Sequence, residues 1–125
     1  MSTIAFSVLG EPVPKQSFRI GKDGGYTDPR VKVWQDMVAA SAMIAKNENQ
    51  VEIIDGPVTV AIDFYLGNRR RIDLDNLSKA VLDGLKGVIF VDDQQVIGLY
   101  LRKFIKKNAA GLSGAHIIIR EYKEK

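Results

Sequence analysis

Hydrophobic and polar positions alternate from Thr3 to Leu9, with Ile4, Phe6 and Val8 on one side, which predicts a strand. Gly10 to Tyr26 is rich in glycine, proline and basic residues and predicts a long loop or loose hairpin. Asp28-Pro29 then opens a helix, because aspartate suits the N-cap and proline the first helical position. Its apolar stripe is Val31, Trp34, Val38, Ala42 and Ala45, fading into the polar run Lys46–Gln50. Asp55-Gly56-Pro57 is a turn, and Val58, Val60, Ile62, Phe64 and Leu66 alternate as a second strand. A second helix is predicted from Leu74 or Asp75 to Val88. Leu74, Leu77, Val81, Leu85 and Val88 share one side, and Asp75, Lys79, Asp83 and Lys86 share the other. Val96 to Ile105 and Ala115 to Tyr122 read as two strands, joined into a hairpin through Asn108–Gly114. The order β, loop, α, β, α, β, β predicts one small α+β domain, residues 1–125, with a mixed sheet and two main helices.

Composition narrows the chemistry. A chain of 125 residues, 46% hydrophobic and 26% charged, is a normal globular domain with room for a core. The absence of cysteine excludes disulfides, thiolate metal sites and cysteine nucleophiles. No apolar run approaches the roughly 18 residues of a membrane span. No secretory segment opens the chain, so a soluble cytoplasmic protein is expected. The net charge of +3 favours a polyanionic partner only slightly. Its placement says more: basic residues cluster at Lys15–Lys22, Arg69–Arg71 and Arg102–Lys107, around an acidic cluster.

The acidic cluster comprises Asp73 and Asp75, two residues apart, then Asp83 and the pair Asp92-Asp93. In extended backbone Asp73 and Asp75 would point the same way and share a hard cation, while in a helix they would diverge and Asp75 would meet Lys79. Each feature alone has a plainer explanation. Asp73 or Asp75 would cap the helix. Asp75–Lys79 and Lys79–Asp83 would be i,i+4 pairs, and Asp92-Asp93 a polar turn. Taken together, so many carboxylates are costly without a cation, and Mg2+ with its preference for oxygen ligands is the natural occupant. Lys79 would steady negative charge developing on a phosphate. A sugar-nucleotide transferase built on Asp-x-Asp fits poorly, since the chain is short for two substrate sites.

The run Asp73-Leu74-Asp75-Asn76-Leu77, Lys79, Asp83 and Asp92-Asp93-x-x-Val96 resembles the signature of the RusA family of Holliday junction resolvases. Pro12-Val13-Pro14-Lys15 and Tyr26-Thr27 resemble that family's opening loop, so the resemblance covers nearly the whole chain. It implies a small α+β homodimer that binds branched DNA, above all four-way junctions, and nicks opposing strands with Mg2+, or Mn2+ as a substitute. By the same resemblance Asp73, Asp75 and Asp93 would be the metal-binding and catalytic carboxylates and Lys79 the essential lysine. Asn76, Asp83 (held to Lys79) and Asp92 would support them. Lys15, Arg19, Arg69, Arg70 and Arg71 would contact DNA. A bacterial or phage-derived origin is implied. The chain departs from the family where Gln16-Ser17-Phe18 precedes Arg19, since more arginines are common there. The competing expectation is a branched-DNA-binding module without catalysis. His116, in a strand, and Trp34, on the apolar stripe, are expected to be structural.

Overall fold

The computed structural model describes residues 2–15, 19–21, 24–26, 28–67, 71–108 and 111–123. Its elements are β1 (Thr3–Leu9), β2 (Arg19–Gly21), β3 (Gly24–Tyr26), α1 (Pro29–Glu48), β4 (Val58–Tyr65), α2 (Leu74–Leu85), a 3-10 turn (Asp93–Gln95), β5 (Val96–Phe104) and β6 (Gly114–Glu121). β2 and β3 form a two-stranded ribbon within the predicted opening loop.

Four strands form one sheet in the order β1-β6-β4-β5. β6 runs antiparallel to both β1 and β4, and β5 runs parallel to β4. The expected β5–β6 hairpin is therefore wrong: the chain leaves β5 at one sheet edge and crosses over β4 to insert β6 beside it. A parallel partner needs a long crossover, and α2 with its flanking segments supplies it between β4 and β5.

β4 shows why it is central. Val58, Val60, Ile62 and Phe64 are buried, and the residues between them are half-buried. These side chains pack with Ile4, Val8, Ile117 and Ile119 from the neighbouring strands and with Trp34, Val38, Leu77 and Val81 from the helices. Trp34 is 1% exposed, as its place on the stripe predicted. Both helices thus cover one face of the sheet, and the alternate residues face away from the core.

α1 starts as expected. The Asp28 carboxylate accepts from the Arg30 backbone N–H at 2.9 Å, and Pro29 sits in the first turn. The side-chain hydrogen bond from Arg30 also holds the Asp28 carboxyl below its ordinary pKa. α1 crosses α2 closely where Gly84 faces it: a Cβ there would lie 2.8 Å from the Gln35 carbonyl oxygen. α2 ends at Leu85, three residues before the predicted Val88. Lys86 is already extended, and Gly87 takes a left-handed φ of 82°. The apolar Val88–Phe90 continue the stripe in sequence, but glycine in that conformation turns the chain out of the helix.

Candidate active site

Asp73 is the N-cap residue of α2, in extended backbone, and its carbonyl accepts from Leu77 N–H at 3.1 Å. Its carboxylate is exposed and makes no capping hydrogen bond. Asp75 lies inside the first helical turn, one step past the boundary that sequence left open. Its carboxylate is 3.4 Å from Lys79 Nζ, and their side chains are 78% and 51% exposed. Buried Ser78 donates its hydroxyl to the Asp75 carbonyl at 2.7 Å and fixes that turn against the core. From β5, Lys103 Nζ donates to the Ile72 carbonyl at 2.6 Å. Two carboxylates and two lysines therefore gather at the start of α2, where the helix N-terminus favours negative charge. Exposed Arg71 leads into them.

Asp92 and Asp93 lie elsewhere. They precede β5, beside the C-terminal end of α2, where Asp92 is 3.7 Å from Lys86 Nζ. This turn is held tightly by Gln95. The Gln95 side-chain oxygen accepts from the backbone N–H groups of Val91 (2.7 Å) and Asp92 (2.8 Å). Its amide nitrogen donates to the carbonyls of Ile54 and Gly56, each at 2.8 Å. Every hydrogen-bonding direction of that amide is engaged on both sides. Asp93, by contrast, keeps one buried oxygen, Oδ1, with no partner among the described residues. Burying an unpaired carboxylate oxygen is costly, and a cation would satisfy it.

The two acidic groups are far apart within one chain. Lys103, near the end of β5, touches Ile72 beside Asp73, whereas Asp93 sits before the start of β5. The strand from Val96 to Lys103 spans about 23 Å at the usual strand rise. Among the described residues no three acidic or histidine side chains gather closely enough to hold an ion. Asp73 and Asp75 are still fit donors for Mg2+, which is often held by one or two carboxylates with waters and phosphate oxygens. The unpaired Asp93 oxygen suits the same ion, but not at the same point of the same chain.

Other expected residues fall as follows. Asp83 does not pair with Lys79: Lys15 Nζ lies 2.6 Å from its carboxylate, and Gln35 Nε2 donates to it at 3.2 Å. The i,i+4 spacing gave proximity, but the tertiary partners hold Asp83 instead. Lys15, expected on DNA, is thus tied to α2, and its backbone N–H donates to the Asn76 carbonyl at 2.9 Å. The opening loop is thereby fixed beside the Asp75 turn. Arg19 contributes backbone to β2 and its side chain is not described, and Arg69 and Arg70 lie outside the described residues. His116 shares a hydrogen bond with the Ser7 hydroxyl at 3.1 Å and lies level with Asp63 and Arg102 in the sheet register, on the face turned away from the helices. Sequence reasoning passed over Gln95, Ser78 and Lys103. The Asp92-x-x-Gln95 spacing is that of a capping box and was the available signal for Gln95. Nothing local marked Lys103 apart from the other cations of its run.

Comparison with known proteins agrees with the resemblance. The profile of the family described as Endodeoxyribonuclease RusA matches residues 10–116. The chain is 29% identical to the uncharacterized protein YqaN of Bacillus subtilis, over 97% of this chain and 98% of that protein. It is 30% identical to the crossover junction endodeoxyribonuclease RusA of Aquifex aeolicus, covering 81% of this chain and 80% of that one. The corresponding Escherichia coli K12 protein is 31% identical over 78% and 79% of the two chains. The match spans both acidic groups and the lysine between them, and no helix among the described residues is long and apolar enough to cross a membrane. The chain belongs to the RusA family of endodeoxyribonucleases.

Proposed function

We propose that this protein is a Mg2+-dependent endonuclease that resolves four-way DNA junctions as a homodimer, by paired symmetric nicks. The observation that carries this is the arrangement of acids in a chain of this family. Asp73 and Asp75 stand exposed at the start of α2 beside Lys103 and Lys79, the latter paired with Asp75, and Asp93 keeps an unpaired buried oxygen on a turn held by Gln95.

The separation of the two groups also supports the dimer. Two protomers related by a two-fold axis and pointing in opposite directions would bring the acidic turn of one beside the Asp73 end of the other. Each active site would then hold Asp73 and Asp75 from one chain and Asp93 from its partner. A two-fold protein with two such sites suits a two-fold junction that must be cut on opposing strands.

Asp73 and Asp75 of one chain and Asp93 of the other would hold Mg2+, which would supply a bound water of lowered pKa and offset charge on the phosphate. Lys79 faces the same point and lowers the energy of negative charge gathering on the non-bridging oxygens. Arg71 and the other basic residues of its run hold the flanking backbone. Water attacks phosphorus, and the bond to the leaving oxygen breaks in line with that attack. Asn76 and Asp83 fix the helix and loop around these groups, and Lys86 and Gln95 fix Asp92.

The test is a synthetic four-way junction incubated with and without Mg2+, with linear duplex as control. Paired nicks that need Mg2+ and fail with Asp75→Asn are expected. Uncut junction in both conditions, with binding intact, would mean a branched-DNA-binding module without catalysis.

A further inference from the structure

The face of the sheet turned away from the helices belongs to neither acidic group. The strand registers lay its side chains out in four rows across β1, β6, β4 and β5. One row is Ala5, Ile118, Ala61 and Tyr100. The next is Ser7, His116, Asp63 and Arg102, and the one after it ends in Tyr65 and Phe104. Between the middle rows lies a shallow depression of about 360 Å³ bordered by Ala61, Tyr100, His116 and Ile118. Tyr100 stands over it and is 71% exposed.

The aromatic groups are flanked by cations. Tyr65 and Phe104 stack with ring centres 5.2 Å apart. The Arg102 guanidinium lies 5.4 Å and Lys106 Nζ 5.6 Å from the Phe104 ring centre. Arg102 is oriented by two hydrogen bonds to Asp63, at 2.8 and 2.7 Å, yet its side chain remains 69% exposed. Exposed Arg120 lies on the same face two rows away. Among the described residues of this face, Asp63 is thus outnumbered by three cations.

Resting on the nuclease assignment above, we propose that this open face is a platform for an unpaired DNA strand, with a base stacked on Tyr100 and phosphates held by Arg102, Arg120 and Lys106. Exposed aromatics on a sheet interleaved with cations suit bases that have left a duplex, because every base offers a stacking face. A broad four-stranded face cannot enter a duplex groove, which admits a helix or a two-stranded ribbon. A second copy packed face to face would bring cations against cations. The platform is also continuous with the catalytic end: Leu66 N–H donates to the Phe104 carbonyl, and from Leu66 the chain runs on to Arg71 and Asp73. A strand opened near the branch point would run from the cut site onto Tyr100, about 13 Å from Phe104 along β5.

The experiment measures binding of a short, labelled single-stranded DNA by anisotropy, without Mg2+ and at two salt concentrations. Wild-type protein should bind it. Tyr100→Ala should weaken binding about tenfold, and Tyr100→Phe should restore it. Arg102→Ala should lower the salt dependence by about one phosphate contact. Equal binding by Tyr100→Ala overturns the platform. So does wild-type protein that ignores single strands while it still binds and cuts four-way junctions, and that result leaves the nuclease assignment standing. A DNA-free Tyr100→Ala protein that falls from dimer to monomer in sedimentation would show a contact between copies and would also overturn it. Failure to bind or cut any nucleic acid would sink both proposals.

Discussion

The two acidic regions differ in how they are held. At the start of α2, Asp73 and Asp75 are exposed; their backbone is fixed by the helix, by Ser78 and by Lys103 on the preceding carbonyl, and their only side-chain contact among the described residues is the exposed Asp75–Lys79 pair. At the turn before β5, Asp93 is half-buried in a segment that Gln95 ties by two hydrogen bonds to the Ile54–Gly56 stretch. One region offers exposed carboxylates, one of them loosely paired with Lys79, and the other a preorganised, unpaired oxygen. Among the described residues neither is a complete metal cage, and the two differ in what they offer: exposed side chains at one, a fixed and unpaired oxygen at the other.

If the two regions form one reaction centre, losing either should be equally damaging. Asp75→Asn and Asp93→Asn should each reduce junction cleavage by about a thousandfold, since each removes a ligand that serves the transition state. Gel-shift affinity should be kept, or should rise as repulsion with phosphate is relieved. A large difference in residual rate between the two would break the symmetry.

Lys79→Ala should follow, with about a hundredfold loss in single-turnover rate and a modest loss of affinity. Gln95→Ala sharpens the contrast in rigidity. It removes four hydrogen bonds that anchor the acidic turn, so stability should fall by about 2 kcal/mol in a urea melt. Cleavage should slow about tenfold as Asp93 loses its fixed position. Asp83→Asn is the smallest change. It weakens a partly exposed ion pair with Lys15, so stability should shift by no more than about 1 kcal/mol, with cleavage within a few-fold of wild type.

Much of this was readable from sequence, for identifiable reasons. The clean alternation of Val58–Leu66 and the Asp28-Pro29 start of α1 are local signals, and the structure follows them. The β5–β6 hairpin failed because adjacency in sequence cannot reveal that β4 takes the place between them. Only the pairing of β4 on both sides settles that. In the candidate site the residue types were visible, and so was the lysine beside Asp75. The Lys79–Asp83 pair was not realised, because helical spacing brings side chains near each other but Lys15 and Gln35 arrive from distant segments. The gap between Asp75 and Asp93 was hidden for the same reason. A separation of only 18 positions suggests closeness, but a helix followed by a turn carries the chain to the far end of β5.

The most direct test mixes the two inactive variants. Asp75→Asn and Asp93→Asn proteins are unfolded together, refolded to exchange subunits, and assayed for nicking of a four-way junction with Mg2+. If each site draws Asp75 from one chain and Asp93 from its partner, a mixed dimer carries one intact site, and single-strand nicking should return while each variant alone stays inactive. If all three aspartates act within one chain, both sites of the mixed dimer are broken. Absence of nicking from a mixture shown to contain mixed dimers would contradict the account.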